Sequence, residues 1–227
     1  MIKILNISNN YPISDMGKYA GICWNADISD INKNFKRGVE CLESGHHRVM
    51  EYSDVVVEIS EYSARMIREL YTHIIGVTRL QESTRYVDCS NFKYYTPDSI
   101  KYKPLALNNY DIIMKRIKEM YVVLQDMEIP IQDIANILPL GMHTKIVLKI
   151  NCRALMHMAG IRMCKRAYKE FREFMGELRY VLSEITEEWA YFVHYYMRPK
   201  CEILGYCNEK QSCKKYLKEK EEERSND

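Results

Sequence analysis

A chain of 227 residues is long enough for one large core or two small ones. Its 47% hydrophobic and 28% charged content is that of a globular protein, and a net charge of +2 gives no global argument for nucleic acid or an anionic membrane. No stretch approaches the ~18 consecutive apolar residues of a membrane span. The start MIKILNISNNYP lacks the layout of a secretory signal, so a cytoplasmic protein is expected, with its 8 cysteines reduced.

In chain order, Ile2 to Ile7 reads as an opening strand ended by Asn9, Asn10 and Pro12. Residues 13–33 look turn-rich, and Asp30 to Leu42 reads as a short helix. A polar junction, GHHRVMEY from Gly45 to Tyr52, leads to a strand at Asp54 to Ser60 and a helix from Ser60. The aromatic run FKYYTP, Phe92 to Pro97, is strand-like, and residues 97–108 read as a loop. Tyr110, Ile113, Ile117, Met120 and Leu124 recur at spacings of three and four, the mark of an amphipathic helix that Pro130 ends. A short helix at Ile131 to Leu138, a strand at Thr144 to Ile150 and a long helix from an Asn151 cap to about Met175 follow. Leu178 to Tyr196 reads as the last helix and Arg198 to Cys213 as a loop. With no repeat and no Gly/Ser linker, the expectation is a single α+β domain over 1–213, helices around a small central sheet, and a charged tail over 214–227.

Two stretches carry the chemistry. In RELYTHIIGVTRLQESTRY, Arg68 to Tyr86, the cluster Gln81, Glu82, Ser83, Thr84 and Arg85 places hydroxyls, an amide and a guanidinium within five residues. That set suits a phosphate, and it also suits an ordinary solvated turn. In NCRALMHMAGIRMCKRAYKEFREF, helical spacing puts Arg162 on the apolar face of Leu155 and Met158. Such an arginine snorkels, pairs with a buried acid or meets an anionic ligand. Arg153, His157 and Cys164 lie on a neighbouring stripe. His73 reads equally as a ligand contact or an ordinary histidine at a helix end. His46 and His47 point apart in an extended chain. Cys201, Cys207 and Cys213, with His194 upstream, lack a tight C-x2-C hook, so free thiols are expected and a zinc site is the alternative.

Together these segments resemble the flavin-dependent thymidylate synthases, in order along most of the chain. GHHRVMEY matches that family's Gly-His-x-Ser-Val-x-Glu-His segment at Gly45, His46, Val49 and Glu51; QESTRY matches the end of its signature at Ser83, Arg85 and Tyr86. NILP matches a Leu-Pro segment, and Asn151, Arg153, Leu155, Arg162, Ala167, Glu170 and Arg172 match the helix that closes the site. Pro199, Cys201, Gly205, Cys207, Glu209 and Cys213 are similar to a cysteine-bearing ending.

The resemblance implies an intertwined homotetramer that methylates dUMP to dTMP, taking its one-carbon unit from methylenetetrahydrofolate and its hydride from FAD reduced by NADPH. It implies no metal, no cysteine nucleophile, and no nucleic-acid or membrane partner. Carried over by residue, Gln81, Glu82, Ser83 and Arg85 hold the dUMP phosphate end, and Arg162 contacts the uracil and favours ionisation at N3. His73, Asn151, Arg153 and His157 fall at flavin-contacting positions. The pattern also departs from the family: its Arg-His-Arg opening falls on His73, Ile74 and Ile75, its Asn-Glu pair is Leu80 and Gln81, and a further phosphate arginine is Ala135. The alternatives are therefore a relative acting on another pyrimidine nucleotide or transferring a hydroxymethyl group, and a non-catalytic homologue that binds nucleotide.

Overall fold

The computed structural model describes residues 1–213; the charged tail expected over 214–227 lies outside the described residues. Four strands, β1 (Ile2–Ile7), β2 (Asp54–Ser63), β3 (Val77–Gln81) and β4 (His143–Asn151), form one sheet in the order β1-β2-β4-β3. Backbone bonds from Ser8 to Asp54 and from Ser60 to Met1 at the two ends of β1 make it antiparallel to β2. Side chains of β4 alternate, with Thr144, Ile146, Leu148 and Ile150 buried, the period-two pattern of a strand with one covered face. No helix among the described residues is long and apolar enough to cross a membrane.

The chain groups into two compact units. The first comprises Met1, residues 58–72 and residues 79–148. It holds α3 (Ala64–Leu70), α4 (Asp98–Lys101), the 23-residue α5 (Pro104–Asp126) and α6 (Ile131–Ile134). Its apolar cluster is Cys89, Phe92, Met114, Tyr121, Ile134 and Met142. Prolines open α5 and stand just before α6, where a fixed φ suits the start of a helix, so the 97–108 loop expectation is replaced by α4 and the first turn of α5. The 92–97 strand reduces to one bridge, Tyr94 to Met142.

The second unit comprises residues 2–57, residues 73–78 and the chain from Lys149 onward. It contains α1 (Pro12–Cys23), α2 (Ile31–Glu43), α7 (Cys152–Arg162), α8 (Lys169–Ser183), α9 (Glu187–Tyr196) and α10 (Lys200–Leu204). Residues 13–23 are thus helical and not turn-rich. Pro12 stands at the first helical position, and the Glu188 carboxylate accepts the Ser14 amide at 2.8 Å, supplying the N-terminal partner that the local sequence lacks. Asp30 caps α2 by accepting from Asn32 and Lys33.

α1 and α2 touch through glycines. A Cβ on Gly38 would fall 2.1 Å from the Ile13 carbonyl oxygen, and one on Gly17 would fall 1.8 Å from that of Asn34. Gly38→Ala is expected to destabilise the fold by about 1–3 kcal/mol, read as a lower thermal midpoint.

In the first unit, burial pushes the His143 imidazole below its ordinary 6.5; Glu61 opposes this, while Lys93 and the N-terminal ammonium add to it. Between the folded and unfolded values, the unfolded chain binds a proton that the folded chain does not. Stability therefore falls as pH drops below 6.5. Replacing His143 with Phe is expected to flatten that part of the acid slope in thermal midpoints measured against pH.

Candidate active site

Strand β4 ends at Asn151, whose Oδ1 accepts the Ala154 amide at 2.9 Å and caps α7. The Asn151 amide donates 3.0 Å to the carbonyl of Gly76, which has φ +72°. A Cβ on Gly76 would fall 2.6 Å from both terminal atoms of the Asn151 side chain. One residue thus ends a strand, starts a helix and pins the 73–76 turn.

That turn brings His73 to Arg162, the last residue of α7. Arg162 Nε donates to His73 Nε2 at 3.0 Å, so Nε2 carries the lone pair and the neutral ring holds its proton on Nδ1. The guanidinium also lies over Phe171, 4.8 Å from the ring centroid, on the first turn of α8. His73 and Phe171 are buried, and the His73 ring centroid stands 6.1 Å from those of both Phe171 and His157. Arg162 is thereby half-buried with its plane set by two rings, an oriented cation suited to a planar polar ligand.

The expected single helix to Met175 is two helices. Residues 163–168 turn between α7 and α8, where the Ala167 amide donates to the Cys164 carbonyl at 2.9 Å and the Arg172 guanidinium donates to the carbonyl of Lys165. No Gly or Pro marks this break; long-range packing makes it. The break places Phe171 under Arg162, a role that the sequence had not signalled. Arg153 is ion-paired with Glu51, 102 residues away, and His157 is exposed.

The phosphate candidates lie in the first unit. Glu82 donates its amide to the Lys145 carbonyl at 2.8 Å, and the Gln81 amide nitrogen approaches Thr144 Oγ1 at 3.4 Å, which ties the end of β3 to β4. Ser83 Oγ accepts the Arg85 amide at 3.3 Å, and the Ser83 carbonyl accepts those of Tyr86 and Val87, closing a tight turn. Arg85 is exposed, its guanidinium 5.5 Å from the Tyr86 centroid, with no carboxylate partner among the described residues. Gln81, Glu82, Ser83 and Arg85 are thus assembled together in one unit, and His73, Arg162 and His157 together in the other. Ile74 and Ile75 are strongly exposed, 71% and 87%.

Cys152 is held well above its ordinary pKa by complete burial and by Asp54, and burial likewise raises Cys89.

The proteins that this chain is similar to are thymidylate-forming enzymes. The profile of the family described as Thymidylate synthase complementing protein matches residues 10–188. The flavin-dependent thymidylate synthase of Nitratidesulfovibrio vulgaris strain Hildenborough is 33% identical over 192 residues, covering 77% of this chain and 74% of that protein. The enzyme of the same name from Thermococcus onnurineus is 28% identical over 172 residues, covering 73% and 69%. The crystal structure of flavin-dependent thymidylate synthase ThyX from Helicobacter pylori, complexed with FAD and dUMP, matches with a TM-score of 0.65 at 16% identity, covering 83% of this chain and 97% of that one. That last likeness speaks to the fold, α+β with a small sheet and many helices. The chain belongs to the flavin-dependent thymidylate synthase family.

The clamp can be tested against a glycine with the same backbone. Gly45 also has positive φ but has no heavy atom within 4 Å of its added Cβ. Gly45→Ala should cost about 1 kcal/mol for backbone strain alone. Gly76→Ala must also displace Asn151, so its thermal midpoint is expected to fall further than that of Gly45→Ala.

Proposed function

We propose that this chain catalyses the reductive methylation of dUMP to dTMP, with methylenetetrahydrofolate as one-carbon donor and FAD reduced by NADPH as hydride source. The observation that carries the reading is the pre-set Arg162, fixed by His73 and Phe171 within a chain that matches the family over residues 10–188. The residues that would hold a flavin are His73, which meets Arg162, and His157 against it, with Asn151 and Arg153 at the other end of α7; their rings, amide and guanidinium suit ring carbonyls, ring nitrogens and a pyrophosphate. FAD, when bound, supplies the hydride chemistry that no side chain can.

The protein's own part is electrostatic and positional. Arg162 presents a delocalised cation to the uracil and favours negative charge at N3, and its fixed plane means little reorganisation as that charge develops. Ser83 and Arg85, with Gln81 and Glu82, hold the phosphate end through charge-assisted bonds. Buried thiols take no part.

Residues 1–213 act as one functional domain in a cytoplasmic homotetramer, with no nucleic-acid or membrane partner. Support for the assembly comes from α5, which exposes Ile112, Ile113, Met120, Val122 and Val123 and buries only Met114 and Tyr121. His73 with the exposed Ile74 and Ile75, where the resembled signature opens with Arg-His-Arg, favours the second reading, a homologue that binds nucleotide without turnover.

A visible spectrum of the purified protein with FAD, dUMP and NADPH separates the two. A flavin band that bleaches with NADPH, with dTMP formed on adding methylenetetrahydrofolate, is the expected result; no flavin binding, or flavin without turnover, supports the second reading. Arg162→Ala should lower kcat by roughly 10²–10³-fold, the scale of one lost preorganised donor. Arg85→Ala should raise the KM for dUMP by roughly 10–100-fold with a smaller change in kcat, as loss of a charged hydrogen bond implies.

A further inference from the structure

The second unit holds a cavity of about 590 Å³, and the proposed reaction uses its lining only at Arg162. One side is built where α10 packs against α7: Gly160 presents no side chain, and the Lys200 Cβ lies 3.9 Å from where a Cβ would stand. The turn after α7 brings Lys165 and Arg166 to the cavity, α8 brings Arg179, and α10 brings Lys200. Gly205, left-handed at φ +75°, ends α10 and turns the chain so that Asn208 and Glu209 join the lining.

The charges on this lining do not balance. Arg162, Lys165, Arg166, Arg179 and Lys200 stand against only Glu202 and Glu209, in a chain whose net charge is +2. Both carboxylates are already engaged, Glu209 with Arg166 at 2.7 Å and Glu202 with Arg198 at 3.4 Å. Lys165 and Lys200 have no carboxylate partner among the described residues. The Nε of Arg179 is buried with no hydrogen-bond partner among them either. A buried guanidinium nitrogen without an acceptor costs free energy that a bound anion recovers. The cysteines do not answer these charges. Burial above all, with Glu202, holds Cys201 above its usual pKa, so it stays a neutral thiol. The positive surplus also repels a metal ion, and among the described residues no three His, Cys, Asp or Glu side chains are grouped to hold one.

We propose that this cavity binds the phosphate group of a ligand, held by Arg179, Lys165 and Lys200. A phosphate supplies the negative charge and the several acceptor oxygens that three unmatched cations call for. Arg179 is the half-buried, directional partner, and the two lysines are exposed point charges. The cavity has room for more than a phosphate, so the ligand carries that group on a larger body. The site is separate from the turn at Ser83 and Arg85, which belongs to the first unit. It binds only, with no bond made or broken. In the proposed reaction the reduced dinucleotide carries such groups, and this identification of the ligand alone rests on that reading.

The test is calorimetric titration of the full chain with inorganic pyrophosphate in a phosphate-free, low-salt buffer. The expected result is a site that weakens as salt rises and that Arg85→Ala, at the proposed dUMP phosphate turn, leaves in place. Arg179→Met and Lys200→Ala should each weaken it roughly 10–100-fold, the scale of one lost charge-assisted bond. Lys36→Ala, an exposed position on α2 outside the cavity, should not. Arg179→Met should also lose the rise in thermal midpoint that pyrophosphate gives, without lowering the midpoint of the free chain, because it removes an unpartnered buried nitrogen. A purely structural arginine does the reverse. Absence of binding overturns the proposal, as does binding unchanged in both cavity variants or weakened as much in Lys36→Ala. Binding lost in Arg85→Ala but not in Arg179→Met overturns it too. Displacement of pyrophosphate by NADPH identifies the ligand as the reductant, whereas pyrophosphate held against NADPH identifies another phosphate ester; both results keep the site. No readout depends on turnover, so the site and the proposed reaction fail separately.

Discussion

The contact on which the candidate site depends is the one between Asn151 and Gly76. Its distances, 3.0 Å between backbones and 2.6 Å from a Cβ that glycine lacks, leave no room for another residue at 76 without movement of Asn151. Asn151 also caps α7 through Oδ1. Any shift at Gly76 therefore acts on both ends of the arrangement: on the turn that carries His73 and on the first turn of the helix that carries Arg162. The result is an arginine oriented by a histidine ring nitrogen on one side and a phenyl face on the other.

Much of the local geometry of the candidate site was legible because it rests on signals close in sequence. Asn151 sits where a strand pattern gives way to helical spacing, and it caps that helix. Ser83, Arg85 and Tyr86 are close in sequence and fold into one turn. Arg162 on an apolar stripe stood out, and the structure seats it against the His73 and Phe171 rings. What the sequence did not give is long-range. Glu51 meets Arg153 across 102 residues, and the ring under Arg162 depends on a helix break with no glycine or proline to announce it. Residues 13–23 read as turns because their N-terminal support, Glu188, is 174 residues from Ser14. β3 was hidden in a polar stretch because it is a short strand at the sheet edge, with Leu80 and Gln81 exposed.

The departures from the family pattern have a consistent physical sense. Where the resembled signature opens with Arg-His-Arg, this chain has His73, Ile74 and Ile75, and the two isoleucines stand largely in solvent within the pinned turn. Isolated apolar side chains that exposed are unremarkable alone, but the long face of α5 is also open. A second copy that covers such surfaces would hide apolar area and would change the dielectric around neighbouring charges. Exchange of a cation for a buried isoleucine removes one attraction for an anionic ligand and strengthens those that remain, since a charge pair interacts more strongly in a drier setting.

The same reasoning separates the two arginine groups. Arg85 is exposed over the Tyr86 ring, so its attraction for any anion is screened by solvent and gains from two-pronged geometry more than from burial. Arg162 is half-buried and oriented before any ligand arrives, so its contribution is greatest where charge develops late. A mobile, solvated cation improves capture, whereas a fixed one improves a transition state. The two guanidiniums thus differ in how firmly they are seated, one exposed over a single ring and one held between two, and that difference is what the proposed roles of capture and charge stabilisation each require.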